Sequence, residues 1–381
     1  MTVISTPPPV VPGRLEQMST RIAFFIAGFG IAAWAPLVPY AKARAGLDEG
    51  TLGVLLLCLG VGSILAMPLA GILSTRYGCR RVATAGTLLI CLALPLLATV
   101  SSVPALIVAL FLFGAGLGTV DSTVNLQAVI VERASGKTMM SGFHGMFSLG
   151  GIVGAAGVSA LLGLEVSPLG AMLVVNAVLL IALFKAAPHL LPYGSERSGP
   201  AFAVPHGIVL FIGGMCFIVF LAEGAALDWS AVFLTQERGI ATAYAGLGYA
   251  AFALTMTVGR LTGDSIVRRL GATKVIVFGG LTAAAGLFLA TFAPSWEAAL
   301  VGYALLGAGC SNIVPVLYTA VGKQTVMPQS IAVPAITTLG YAGILAGPAV
   351  IGFIAHASSL SFAFALMALL LVAVAIGGKV L

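Results

Sequence analysis

The chain has 381 residues, of which 60% are apolar and only 8% are charged, against roughly 25% charged in an ordinary soluble domain. So few charges cannot cover a water-facing surface of this size, which excludes a soluble protein and leaves one whose exterior meets lipid. The formal net charge of +6 does not point to nucleic acid, because Lys and Arg stand singly or in twos and threes between apolar runs.

The first 20 residues are polar and Pro-rich, with STPPPVVPG over residues 5–13. They are predicted to form a disordered cytoplasmic tail with no cleavable signal peptide. A spanning helix needs about 20 mostly apolar residues. Twelve such segments are predicted, at 21–41, 51–74, 82–102, 104–131, 138–163, 168–187, 207–234, 242–266, 274–293, 296–321, 329–355 and 359–378. The expected fold is therefore all-α and membrane-spanning, with six helices over 21–187, a polar linker over 188–206 and six more helices over 207–381. Gly, with 48 copies, and Pro, with 19, suit membrane helices, where small residues let backbones approach. Cys58, Cys79, Cys91, Cys216 and Cys310 are scattered with no CxxC spacing, and four of them lie inside apolar runs. They read as small apolar residues rather than metal ligands or disulfides.

Basic residues set the orientation. With a cytoplasmic amino terminus, the even-numbered joints and both termini hold all 18 Lys and Arg except Lys42, Arg44 and Arg238. That bias satisfies the positive-inside rule with both ends inside. The halves also repeat at an offset of 193: Arg76 pairs with Arg269, Gly78 with Gly271, Arg81 with Lys274, Gly114 with Gly307, Gly116 with Gly309, Gly150 with Gly343 and Gly154 with Gly347. Six spans per repeat make the two copies parallel in the bilayer. Two such bundles would enclose a cavity and rock against each other.

Residues 71–81 read GILSTRYGCRR, which resembles the signature loop of the major facilitator superfamily at Gly71, Leu73, Arg76, Gly78, Arg80 and Arg81. The signature Asp is replaced by Thr75 and one Arg by Cys79, which changes the cytoplasmic lock that the Asp supports in the family. Glu132 and Arg133 resemble the family's partner charges for the loop Arg. Gly347-Pro348 resembles its helix-bending Gly-Pro element. Within the superfamily the chain is similar to the MosC-like (YbjJ-like) group, through Glu223-Gly224, Asp228-Trp229, MTVGR at 256–260, Lys137-Thr138, His144-Gly145 and Ser148-Leu149-Gly150.

A charge inside the hydrocarbon region is costly unless it faces the bundle interior, so each one is a candidate for function. Asp121 lies about 11 residues from the cytoplasmic end of span four, roughly 16 Å deep at the helical rise. With Asn125 and Glu132 it forms a polar stripe, and Gln127 follows nearby. Asp121 is read as a proton or solute site, or as a structural hydrogen bond to a neighbouring helix. Glu223, mid-span seven, is the candidate coupling carboxylate. Asp228 points about 140° away on an ideal helix, so both face one cavity only if the helix bends near Gly224; otherwise Asp228 belongs to an outer gate. Arg260 either snorkels to the boundary, pairs with Asp264 four residues on, or meets an anionic group. His144 and Ser148 share a face of span five, where His144 serves a relay or only packs. Trp34 stacks on a sugar-like ring or on neighbouring helices. Asn312 and Tyr341 are further cavity contacts, while Tyr318, near a helix end, reads as part of an interfacial belt.

HExxH, strand-borne GxSxG and GxxxxGK[ST] patterns are absent from the sequence. The glycines of 114–118 lie inside a span and read as helix packing. No enzyme activity, cofactor or metal is expected. The expectation is a monomeric, multi-pass inner-membrane transporter of a small polar solute, sugar- or cyclitol-like and proton-coupled, working by alternating access. Asp121 and Glu223 would handle protons, and Trp34, Asn125, His144, Asn312 and Tyr341 would meet the solute. Gly71, Arg76, Gly78, Arg80, Arg81, Glu132, Arg133, Asp228 and Arg260 would act as gates. Too few basic residues line the cavity for a multiply charged anion. Drug-like efflux, or a sensor that keeps the fold without transport, are the alternatives.

Overall fold

An unpaired backbone amide costs several kcal/mol in hydrocarbon, so a single crossing segment of this chain has only the helix open to it. The computed structural model describes residues 12–47, 49–195, 204–240 and 246–381, and among these every regular element is helical. In the first half, α1 (Arg14–Trp34) passes through a 3-10 turn at Ala35–Leu37 into α2 (Val38–Ala45), where Pro36 and Pro39 interrupt the regular ladder. Next come α3 (Glu49–Thr99), α4 (Val103–Ser135), α5 (Met140–Gly163) and α6 (Pro168–Ala186). The second half comprises α7 (Gly207–Arg238), α8 (Leu247–Leu270), α9 (Ala272–Phe292), α10 (Trp296–Cys310), α11 (Ile313–Lys323), α12 (Gln329–Ala357) and α13 (Leu360–Gly377).

Among the described residues, ten helical stretches are long and apolar enough to cross a membrane. Two features reconcile this number with the twelve expected spans. The 51 residues of α3 contain a sharp corner at Gly78 (φ 84, ψ 154), so α3 is two rods. Helix α8 carries Arg260, Asp264, Arg268 and Arg269, which lower its mean hydropathy. Spans one and ten are each assembled from two helices, α1 with α2 and α10 with α11. Helix starts follow capping chemistry: Ser167, Ser295 and Ser359 accept hydrogen bonds from the amides of Gly170, Ala298 and Phe362. Helix α4 stops at Gly136, whose φ of 62 lies in the left-handed region.

Within the first half α1 packs on α5 and the two limbs of α3 on α4. Within the second, α7 packs on α12, and α9 on α10 and α13. The halves meet along two seams, α3 against α12 and α5 against α8, with α11 and α12 also touching α4. Large apolar side chains such as Phe184 (82% exposed) and Phe353 (76% exposed) point outward, as a lipid-facing exterior requires.

Three boundaries differ from expectation. Residues 14–20, assigned above to the tail, are the first turns of α1, and Ser19 anchors them by donating to the Ala186 carbonyl; residues 1–11 lie outside the described residues. The expected linker begins as packed structure, with Leu190 and Leu191 buried, while 196–203 lie outside the described residues. Span eight begins at Leu247, and 241–245 are outside the description as well.

Candidate functional site

Span ten is broken between Cys310 and Ile313, and Asn312 is the residue before α11. The break frees backbone groups that an unbroken helix would consume. The Ser311 carbonyl accepts a hydrogen bond from Arg260 Nε at 3.4 Å, and Asn312 Nδ2 donates to the Gly259 carbonyl of α8 at 3.0 Å. Arg260 is thereby fixed deep in the bundle, 6% exposed. Its Nη2 meets Glu223 Oε1 of α7 at 3.2 Å, and its Nη1 donates to Ser148 Oγ of α5 at 3.1 Å. One guanidinium therefore joins a carboxylate of its own half to a hydroxyl of the other. Of the readings offered above for Arg260, the i+4 pairing with Asp264 is not made. Asp264 instead accepts from the Gly142 amide at 3.1 Å, because a desolvated guanidinium gains more from the interior carboxylate on α7 than from a neighbour at the helix end.

One turn from Ser148, the ring of His144 packs 5.2 Å from Phe24 and 5.4 Å from Tyr318. Tyr318 is 1% exposed and shares a 2.7 Å hydrogen bond with Thr337. Its assignment to an interfacial belt is corrected: the broken span brings this ring into the centre. Asp121 on α4 lies in electrostatic reach of both Tyr318 and Tyr341. No hydrogen bond or ion pair reaches its carboxylate among the described residues. Asn125, one turn on, donates from Nδ2 to the Asp121 carbonyl at 2.9 Å, leaving Oδ1 without a partner. His144 Nε2 and Asn312 Oδ1 are also unpartnered and buried. Asp121, Ser148, Glu223 and Tyr341 keep partial exposure amid buried neighbours. The structure thus gathers Ser148, Glu223 and Asn312 around Arg260, with His144 and Tyr318 packed on each other one turn from Ser148, while Asp121 and Asn125 stand on α4 and Tyr341 on α12, two helices that touch.

Trp34 is buried with Nε1 unpartnered, and no hydrogen bond or ring contact ties it to this cluster among the described residues. Helix α7 runs unbroken through Gly224, so the bend that would aim both acids inward is absent and Asp228 is exposed. Gln127 is structural, bridging Thr20 and the Leu191 amide.

The residues expected to act as gates divide into packed and exposed ones. Gly71 lies so close to α12 that a Cβ would sit 2.6 Å from the Ser330 carbonyl oxygen. Arg80 donates to the Leu190 and Pro188 carbonyls, while the Cys79 and Arg80 amides donate to the Tyr193 and Leu191 carbonyls. Arg76 rests over the Tyr77 ring, and Arg81 and Arg133 are exposed. Glu132 does not pair with a loop Arg, as the resemblance implied. One oxygen accepts the Met139 and Met140 amides at 2.7 Å each, and the other accepts the Thr319 hydroxyl of α11. Helix α5 begins there with no side-chain cap of its own, so its free amides claim the carboxylate. Thr319, Ser148 and Tyr318 are the participants the sequence did not single out as site residues, although Ser148 was legible as a face-mate of His144.

The Major Facilitator Superfamily model matches residues 21–227 and 207–381. An uncharacterised MFS-type transporter of Yersinia pestis is 56% identical over 371 residues, covering 97% of each chain. Membrane protein MosC of Rhizobium meliloti is 32% identical over 358 residues, covering 92% of this chain and 86% of its own. Among solved structures, the E. coli fucose:proton symporter FucP has a TM-score of 0.79 at 17% identity, covering 96% of this chain and 98% of FucP.

Proposed function

The chain belongs to the major facilitator superfamily, and from that premise we propose that it carries a small polar solute, sugar- or cyclitol-like, by proton-coupled alternating access. The observation that carries this reading is the Arg260 guanidinium, bonded to Glu223 in one half and Ser148 in the other. An ion pair in the interior persists only while both partners are charged, and removing one charge frees the other to find new acceptors. A proton on Glu223 therefore releases Arg260, and because Arg260 also holds Ser148, the protonation state biases how the halves sit. Asp121 is the second proton site in this reading.

The unpartnered Asn125 Oδ1 and the open Asp121 carboxylate offer acceptors to a hydroxyl-rich solute, and His144 Nε2 accepts or donates according to its tautomer. Tyr341 and Asn312 complete the contacts, and Trp34, which no hydrogen bond or ring contact ties to the cluster among the described residues, stays outside this reading. Arg260 is already balanced by Glu223, which gives a multiply charged anion little to bind. The basic joints would face the cytoplasm of an inner-membrane protein, with both termini on that side. Cysteine-accessibility labelling of the two ends tests this, and ends on opposite faces would overturn it.

Reconstitution in proteoliposomes with and without a pH gradient tests the coupling. Glu223→Gln is expected to abolish gradient-driven accumulation while exchange of solute persists; pH-dependent flux that survives unchanged removes Glu223 from its role. A thermal-shift screen against sugars, polyols, amino acids and lipophilic cations tests the solute class. Stabilisation by polyols or sugars is expected, and stabilisation by lipophilic cations alone would replace this reading with drug-like efflux.

A further inference from the structure

The structure assigns Asp264, together with Glu132, as an acidic clasp on the first turn of α5 that holds the basic end of the two halves shut. The first four amides of a helix have no partner inside it and must be capped from outside. The residue before α5, Met139, has no capping side chain. Two carboxylates fill the need. Glu132 takes the Met139 and Met140 amides from within the first half. Asp264, from α8 of the second half, takes the Gly142 amide at 3.1 Å. Half of this cap exists only while the halves are closed, so closure and capping are one event. Glu132 adds a second crossing through the Thr319 hydroxyl of α11.

The fit is close. A Cβ on residue 142 would stand 2.5 Å from Asp264 Oδ2, so a side chain there must push the carboxylate aside. Negative charge at a helix start is also favoured by the helix dipole. The other seam carries no such device: Gly71, the residue that the offset of 193 pairs with Asp264, has no side chain, and Thr75 turns its hydroxyl back to the Gly71 carbonyl at 2.8 Å and does not cross. The acid that the signature loop lacks at position 75 is thus supplied from α8, on the opposite seam. This clasp rests on the alternating access proposed above and not on the solute or the coupling ion, and its test needs neither flux nor a pH gradient, so the two can fail separately.

Hydrogen exchange of the purified full chain, read by mass spectrometry, separates a gate from a local cap. Asp264→Asn removes the charged acceptor and is expected to raise exchange about tenfold in the first turn of α5. The same rise is expected at residues 330–334 of α12, on the other seam and outside hydrogen-bonding contact with Asp264. Gly142→Ala, which leaves every charge in place but displaces the carboxylate, is expected to do the same. It also serves as the reading variant should Asp264→Asn fail to fold. In the Asp264→Asn background, Thr75→Asp is expected to restore protection at α12. Faster exchange confined to α5 reduces Asp264 to a local cap, and no change at either seam removes it altogether; either result overturns the proposal.

Discussion

Along α3 and α12 the halves meet through shape, whereas along α5 and α8 they meet through charge. On the first seam, Gly71 lies against the Ser330 carbonyl and the Pro334 ring, and Gly60 lies against Leu345. No ionised group crosses there among the described residues. On the second seam, Arg260 and Asp264 reach across to Ser148 and Gly142. Contacts of the first kind depend on distance and change little with protonation. Contacts of the second kind depend on which groups are charged, since an unpaired buried charge is expensive. In the proposed cycle one seam would serve as a bearing and the other as a switch, though both belong to the same repeated architecture.

Arg260→Ala should break this contrast most severely. It leaves Glu223 buried without its partner and cuts the link to Ser148, at a cost of about 3–5 kcal/mol. Thermal unfolding in detergent should show a clear fall, and an unchanged transition would mean that the polar seam holds nothing together. Gly71→Ala probes the bearing instead. The added methyl must displace Ser330 or Pro334, an overpacking cost of about 1–3 kcal/mol. Its effect on flux should be equal with and without a pH gradient, whereas substitutions on the charged seam should act unequally. A gradient-dependent Gly71→Ala phenotype would erase the distinction between the seams. Thr319→Val removes one crossing bond to the Glu132 carboxylate, worth about 1.5 kcal/mol, and is read best by the rate at which the basic end opens. Ser148→Ala should cost least, because Arg260 keeps Glu223 and the Ser311 carbonyl, and the expected change in the unfolding transition is under 1 kcal/mol.

The sequence made the architecture plain and the pairings obscure, for definite reasons. Spanning helices follow from hydropathy and length, and the 193-residue offset exposes the repeat without any contact being known. Partners such as Glu223 for Arg260 join α7 to α8, and periodicity along one helix can only suggest Asp264. Tyr318 was misread because a continuous tenth span would place it near a helix end. The two-residue break at Ser311 and Asn312 redirects α11 and carries that ring inward. Glu132 was expected to meet arginine; the uncapped start of α5, invisible to a charge pattern, claims it instead. The depth of Asp121 and Asn125 in span four was legible from hydropathy and length alone, and both lie on α4 as that placement requires.

Gly78 and Gly271 share nearly the same backbone, φ 84 and ψ 154 against φ 83 and ψ 159, in a region that residues with a Cβ rarely adopt. The corner is thus a copied part, but its surroundings have diverged. At Gly78 the chain of 192–193 leans directly against the corner, while around Gly271 nothing stands within 4 Å of where a Cβ would be. A corner wedged by its own chain must carry those residues with it whenever it shifts. An unwedged corner can pivot without moving a neighbour, so the second half holds the less encumbered of the two elbows.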